Sequence, residues 1–394
     1  MSRAQLVAQA RRNLEHVRAG TQDQEADVHR VPVANYADPE RWQREIDRIF
    51  RRVPLVAGFS CELRDPGAYR ATEIAGVPIL VSRGHDGELR AFVNMCSHRG
   101  AIVVAEGTGS ARRFACPYHA WTYDQEGALV GIPDRDDVGL DDTSCYGLTP
   151  LPVAERAGIV FVTPRPNADT SLDIDTFLAG YGEMLEHLGL EDCTVVGEQQ
   201  IAGPNWKLAY DGYLDLYHLP VLHKDSFGPD MSNKALYDSW GPHQRVTSPT
   251  PRFERLADLP EDEWDIDHLT GGVWTIFPHV SIARFEAGGK LHMISQLSPG
   301  PDPDSSITTQ TFLYRGEPDA ETVSLAEKQM AFLEHVVRDE DYATGLGIQR
   351  AISTGAKTEF VFGRNEGGGH RFHQWVDRLL DTDDADLPGL FTIG

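Results

Sequence analysis

Cysteine is too scarce in this chain to staple a fold: 394 residues carry five, Cys61, Cys96, Cys116, Cys145 and Cys193. An odd and sparse set in a reducing compartment points to metal rather than to a disulfide framework. Long apolar runs are missing too. No window approaches the run of about eighteen apolar residues that a membrane-spanning helix needs. The first twenty residues carry Arg3, Arg11, Arg12 and Arg18 without the apolar core or small-residue cleavage site of a signal peptide, so the chain is expected to be cytoplasmic. Basic side chains are in short supply, 36 against 60 acidic ones, for a formal net charge of -24. That balance repels nucleic acid and anionic lipid, and leaves a small molecule or another protein as partner.

What is present suffices for two or three packed domains, since 41% of the residues are hydrophobic. Leu6, Ala10, Leu14 and Val17 recur at helical spacing and predict a surface helix from Ser2 to Val17. Asp38 followed by Pro39 reads as a second helix start, with Trp42, Ile46, Ile49 and Phe50 on one face. From about Arg52 to Pro166 the texture changes to short β-like runs (Val77 to Val81, Leu89 to Val93, Gly158 to Val162) between Gly, Asp and Pro turns, the pattern of a compact all-β module. Beyond it the chain is mixed. Helical stretches are predicted near Ile174 to Leu190, Trp206 to Leu222, Ala320 to Val337 and Tyr342 to Ser353, and strands at Gly272 to Phe285, Leu291 to Leu297 and Ile307 to Tyr314. The acidic runs Asp258 to Asp267 and Asp381 to Asp386 read as solvated loops.

Two local motifs carry chemistry. Cys96-Ser97-His98 and Cys116-Pro117-Tyr118-His119 are separated by seventeen residues, and each supplies one thiolate and one imidazole. That mixture suits a [2Fe–2S] centre with both cysteines on one iron and both histidines on the other, poised at roughly -150 to +300 mV as a one-electron relay. The alternative is a zinc site, which more often pairs like residues and ends in a helix.

At these residues the chain resembles the catalytic α subunits of Rieske non-haem iron oxygenases. Asn94-Met95-Cys96-Ser97-His98-Arg99-Gly100-Ala101 and Cys116-Pro117-Tyr118-His119-Ala120-Trp121 are similar to the family's cluster loops. Tyr36 to Phe50, Asp65-Pro66-Gly67 and Gly127 to Pro133 resemble their surroundings, so the likeness covers most of the chain. The resemblance implies an α+β protein: a small all-β Rieske [2Fe–2S] domain beside a larger catalytic domain with a twisted antiparallel sheet covered by helices, of helix-grip (Bet v 1-like) type. The corresponding division is an N-terminal helical segment at 1–44, the Rieske domain at 45–166 and the catalytic domain at 167–394.

The second constellation starts at Asn205-Trp206-Lys207 and carries Asp211, Asp215, His218 and His223. Asp215 and His218, three apart, are expected on one helix face, with Pro220 bending the segment to aim His223 at the same point. Two imidazoles and one carboxylate form the facial triad that binds Fe(II) and leaves positions open for dioxygen. The segment resembles the family's mononuclear iron helix, with His218 and His223 at the ligand positions and Asp215 at the bridging acid. Asp211 and Asp215 lie too close in sequence to close the triad, and by the family's C-terminal acidic motif Asp341 is the third ligand, with Asp339 and Glu340 as substitutes. An acidic first turn favoured by the helix dipole is the plainer explanation of these three. Gly212, and His279 after Pro278, depart from the Asn often found there, which weakens any transfer of substrate from relatives.

The resemblance implies a terminal oxygenase. A reductase or ferredoxin, fed by NAD(P)H, delivers electrons through the Rieske cluster to the mononuclear Fe(II), and O2 is used to hydroxylate an aromatic or other hydrophobic substrate, as in aromatic hydrocarbon catabolism. The alternative is N- or O-demethylation of a small methylated or quaternary-ammonium substrate, for which Tyr210, Tyr213, Trp274 and Phe277 are candidate cage aromatics, more often plain core residues. Asp at the bridging position leans to the first reading and the motif ending in Gln349 to the second. In the family the acid at Asp215 also hydrogen-bonds the second cluster histidine, here His119, of a neighbouring subunit, so a homotrimer is implied, while a small β subunit stays open. A non-catalytic Rieske electron carrier is the reading of another class. Arg99, Arg112 and Arg113 form a basic cluster that reads either as a docking patch for an acidic donor or as an ordinary solvated face.

Overall fold

The computed structural model describes residues 2–166 and 172–392; residue 167, where the catalytic domain is expected to begin, lies outside them. By internal contact the chain divides into two compact units. One comprises Phe50–Phe177 with Leu190–Asp192, and the other Met1–Ile49, Leu178–Gly189 and Cys193–Gly394.

The smaller unit is built from short antiparallel strands. Ala68–Ile74, Val77–Arg83 and Leu89–Val93 form the centre of a five-stranded sheet, and Leu55–Phe59 pairs with Ile159–Val162 in a second. Arg113–Ala115, Thr122–Asp124 and Leu129–Gly131 make a third, small sheet. The first and third sheets share a core that holds Leu80, Phe92, Phe114, Trp121 and Tyr123 around Cys96 and Cys116, which are 2% and 3% exposed. Thiols so placed belong to the core as small hydrophobes, and no disulfide occurs among the described residues, which include all five cysteines.

The larger unit is organised by a seven-stranded antiparallel sheet. It runs from Cys193–Gly203 through Ser306–Arg315, Lys290–Pro299, Val280–Glu286, Val273–Ile276 and His243–Thr247 to Leu236–Trp240. Period-two alternation puts Val273, Phe285 and Met293 on one face through the registers Trp274↔Ile282 and Ala283↔Met293. The helix Trp206–Leu214 packs against this sheet and against the helix Gly367–Asp381. No helix among the described residues is long and apolar enough to cross a membrane.

Several predicted elements break where local chemistry competes with them. The expected continuous helix from Trp206 to Leu222 ends at Leu214. Asp215 is extended (φ -118°, ψ 126°) and its carboxylate accepts from the backbone N–H of Tyr217, an alternative to the helical ladder that Asp side chains offer. Pro220 therefore bends nothing: it stands in the first turn of the separate short helix Leu219–Leu222, where its missing N–H costs nothing. The strand expected from Gly272 to Phe285 is a hairpin turning at Phe277 and Pro278. The stretch Ile174 to Leu190 is helical in pieces, Ile174–Leu178, Tyr181–Leu185 and Glu186–Leu188, interrupted at Ala179 and Gly180, both at positive φ. In the acidic run ending at Asp267, that residue is paired with Arg284 and Lys290 and is not a solvated loop position.

One buried ion pair anchors the Trp206–Leu214 helix. Lys207 Nζ meets Glu45 with both side chains 0% exposed, while Trp206 Nε1 donates to Glu45 at 3.0 Å and Arg41 to its other oxygen at 3.0 Å. Burial pushes the Lys207 ammonium below its ordinary range, and Glu45 opposes that shift. Lys207→Met would leave the buried Glu45 carboxylate with Arg41 and Trp206 but without its fully buried cation, so we expect it to cost up to about 3–5 kcal/mol, read as a lowered denaturation midpoint, with Lys207→Met plus Glu45→Leu costing less than Lys207→Met alone.

Candidate metal centres

In the smaller unit two turns of the same design present the cysteine and histidine ligand candidates. Cys96 N–H bonds Ala101 O at 2.8 Å and Gly100 N–H bonds Cys96 O at 2.9 Å; Cys116 N–H bonds Trp121 O at 2.8 Å and Ala120 N–H bonds Cys116 O at 2.9 Å. The fourth residue after each cysteine is left-handed, Gly100 at φ 75° and Ala120 at φ 54°. Alanine accepts that geometry at a cost glycine avoids. Asn94 clamps the first loop by accepting from Val103 and Val104 N–H and donating to Val104 O.

The rings of His98 and His119 stand 4.7 Å apart, and His98 stacks on Trp121 at 4.6 Å. His119 Nδ1 is buried without a hydrogen-bond partner. Desolvation, with His98 and Arg99 nearby, holds the His119 imidazole below its ordinary value and so neutral, as a metal ligand must be. Tyr123 OH lies 3.2 Å from Cys96 Sγ and 2.9 Å from Ser97 N; burial and the Cys96 contact push its phenol up to about 12. Two core thiols, two adjacent imidazoles and an orphaned ring nitrogen fit a cluster held by mixed ligands. Arg99, Arg112 and Arg113 are all exposed, with Arg99 over the Tyr118 ring at 5.2 Å.

In the larger unit His218, His223 and Asp341 each bring a ligand atom to within 4.8 Å of the other two. Asp341 Oδ1 is 3.7 Å from His218 Nε2 and 3.2 Å from His223 Nε2. Behind the rings, His218 Nδ1 is 3.1 Å from Asp215 Oδ2 and His223 Nδ1 is 2.6 Å from Glu340 Oε2. An ionised carboxylate only accepts, so each Nδ1 carries a proton, and a cation taking the proton's place at the point Asp341 faces would meet the lone pair of each Nε2. Desolvation lowers the affinity of His223 for a proton, but Asp341 and Glu340 outweigh it and raise the imidazole above its ordinary value; the spot attracts positive charge. Two lone pairs and a carboxylate facing one point fit a ferrous ion.

Of the three acids expected at the third position, Asp339 pairs with His335 and Arg338 at the surface, and Asp341 is the one that faces both Nε2 atoms. All three sit in a π-helical stretch, Val336–Tyr342, a wider turn often found at functional sites. Asp211 bonds Tyr36 OH at 2.9 Å and His373 Nε2 at 3.1 Å, away from the triad. Glu340 behind His223 was not singled out for that place by sequence reasoning, and neither was Ser226, which donates to Glu340 at 2.8 Å; acids adjacent to a ligand candidate were the available signal.

The triad opens on a cavity of about 810 Å³, lined by Leu222, Phe227, Phe285, Met293 and Leu333 among others. Phe227 stands edge-on to His223 at 5.7 Å. No Lys or Arg occurs among the described lining residues. Of the candidate cage aromatics, Tyr213 lines the cavity, while Tyr210, Trp274 and Phe277 are core. Gly212 also lines it, with open space where a Cβ would stand, and His279 is buried behind Pro278.

Residues 54–147 match the family described as Rieske [2Fe-2S] domain, and residues 190–382 that described as ring hydroxylating alpha subunit (catalytic domain). The carnitine monooxygenase oxygenase subunit of Escherichia coli K12 is 31% identical over 82% of this chain and 84% of its own length. The glycine betaine monooxygenase oxygenase subunit of Chromohalobacter salexigens is 31% identical over 60% of this chain, which spans about half (51%) of that relative. A quaternary ammonium Rieske monooxygenase crystallised with L-carnitine superposes with a TM-score of 0.74 at 22% identity, over 90% of this chain and 97% of that one. Naphthalene 1,2-dioxygenase from a Rhodococcus species does so with 0.74 at 22%, over 95% and 98%. At such identities these two structures speak for the fold alone.

Proposed function

The chain belongs to the Rieske non-haem iron oxygenases as a catalytic α subunit, and from that premise we propose a terminal monooxygenase acting on a small methylated ammonium compound. The observation that carries the reading is the convergence of His218 Nε2, His223 Nε2 and Asp341 Oδ1 beside an aromatic and thioether-lined cavity with no Lys or Arg among its described lining residues. A quaternary ammonium group is attracted to such walls by the ring quadrupoles, and the flexible methionines adapt to its shape. The relatives named above act, by their names, on carnitine and glycine betaine, which supports this class over the aromatic-hydrocarbon one that the bridging Asp suggested. Hydroxylation of an uncharged hydrophobic substrate is the second reading, favoured by the same apolar lining.

The net change is a C–H bond, O2, two electrons and two protons giving C–OH and water. Bound at the triad and at the two loops, ferrous ion and cluster supply the oxygen activation and the electrons. The chain's own part is positioning. Asp215 holds the His218 ring through Nδ1, His223 and Asp341 close the site from the other side, and Phe227, Phe285, Met293 and Leu333 keep water from the substrate.

The proposal includes electron delivery by a reductase or ferredoxin and a homotrimer in which His119 of one chain approaches Asp215 of the next. Exposed apolar residues support such docking: Tyr118, Met95 and Ile102 beside the cluster loops, and Tyr217 and Val221 beside Asp215. It also carries the division into 1–44, 45–166 and 167–394. With a surrogate reductase, choline, glycine betaine and carnitine are expected to include a substrate that couples NAD(P)H and O2 consumption to an oxidised product. Coupling confined to uncharged aromatics, with ring-hydroxylated products, would transfer the assignment to the second reading.

A further inference from the structure

Each imidazole of the triad has a carboxylate on its far side, and the route through Asp215 accounts for one of them. Glu340 is the other. We propose that Glu340, held by Ser226, is a second positioning residue of the mononuclear site: it takes the Nδ1 hydrogen bond of His223 and so sets how tightly, and in what geometry, ferrous ion is bound. The inference rests on reading His218, His223 and Asp341 as the ligands.

The His223 ring is held at both of its nitrogens. His223 is 3% exposed, with Glu340 Oε2 at 2.6 Å from Nδ1 and Asp341 Oδ1 at 3.2 Å from Nε2, so two consecutive residues bracket one ring. Consecutive side chains of an α-helix diverge by about 100°, whereas the wider π turn of Val336–Tyr342 narrows the angle and lets both reach the same imidazole. Ser226 Oγ donates to the same Glu340 oxygen at 2.8 Å, and the turn that brings it there is tied back by Phe227 N–H to His223 O at 2.9 Å. Phe227 closes the ring's edge. A carboxylate so placed selects the tautomer with its lone pair on Nε2, stops ring rotation and makes that nitrogen a better donor; removing such a partner commonly costs 10–100-fold in metal affinity, as an order of magnitude.

The test compares Glu340→Ala, the near-isosteric Glu340→Gln and the neighbouring surface control Asp339→Asn. Ferrous ion retained by the anaerobic protein is titrated against a chelator and normalised to acid-labile sulfide, which counts the cluster. The shape of the electron paramagnetic resonance signal of the nitric oxide adduct is recorded alongside. Glu340→Ala is expected to release iron at about 10–100-fold lower chelator concentration with a broadened signal, Glu340→Gln to fall between it and the wild type because its amide oxygen still accepts from Nδ1, and Asp339→Asn to match the wild type. Wild-type retention and signal in both Glu340 variants would overturn the inference, as would an equal loss in Asp339→Asn. A wild type that itself holds no iron beyond its sulfide-bound pair is a different failure, since it removes the ligand reading underneath.

Discussion

Asp215→Ala is expected to carry its full complement of iron and sulfide and yet to turn over substrate about 10–100-fold more slowly. The Asp215 carboxylate touches no ligand atom: Oδ2 meets His218 on Nδ1 at 3.1 Å, while Nε2 faces Asp341. Its removal leaves three donors in place, and even a tenfold weaker site saturates when ferrous ion is supplied in excess. What is lost is the link between the His218 ring and the exposed surface beside Tyr217 and Val221, where the proposed neighbouring cluster would deliver its electron. The measurement is a single turnover: protein with a pre-reduced cluster is mixed with O2 and substrate, and reoxidation of the cluster is followed optically. Reoxidation at the wild-type rate in Asp215→Ala would rule out this route.

Asp341→Ala is expected to lower the iron content from about three to about two atoms per chain, leave sulfide untouched and abolish activity. Asp341 brings the negative charge that faces both Nε2 atoms, and without it two neutral imidazoles confront a hydrated dication. Glu340 cannot replace it, being engaged on the opposite nitrogen of His223 and by Ser226. Asp339→Ala, which disturbs a surface pairing with His335 and Arg338, should keep all the iron. Metal analysis of the two variants together checks the assignment; equal iron in both would sink it.

How much of this was legible in the sequence follows the range of each interaction. The cluster loops are local, Cys-x-His and Cys-x2-His, so residue type and spacing reveal them directly. His218 and His223 are near neighbours and were legible as a pair, although the reason given for their convergence was wrong: the helix stops at Asp215 rather than bending at Pro220. Asp341 comes from far along the chain and needed the family's motif, and the role of Glu340 was hidden because adjacent acids converge only in a π turn. The helix Gly367–Asp381 escaped notice because three glycines open it, poor helix formers. Their reason is tertiary: a Cβ on Gly368 would come within 2.9 Å of Leu214 O, and one on Gly369 within 2.5 Å of the Phe362 ring. The substrate stayed open because an apolar cavity accepts either a cationic methyl group or an aromatic ring.

The wide turn at Val336–Tyr342 makes the centre unusually sensitive to chain length. An extra residue within one helical turn is what a π bulge amounts to, so shortening the segment by one position, for example by losing Arg338, would let the ladder close as an ordinary helix with Glu340, Asp341 and both histidines still present. Glu340 and Asp341 would then splay apart and no longer embrace the same imidazole. For such a design, insertions and deletions are the hazardous mutations, and two relatives with identical acids but a different count between Leu333 and Tyr342 would differ in whether they hold iron at all.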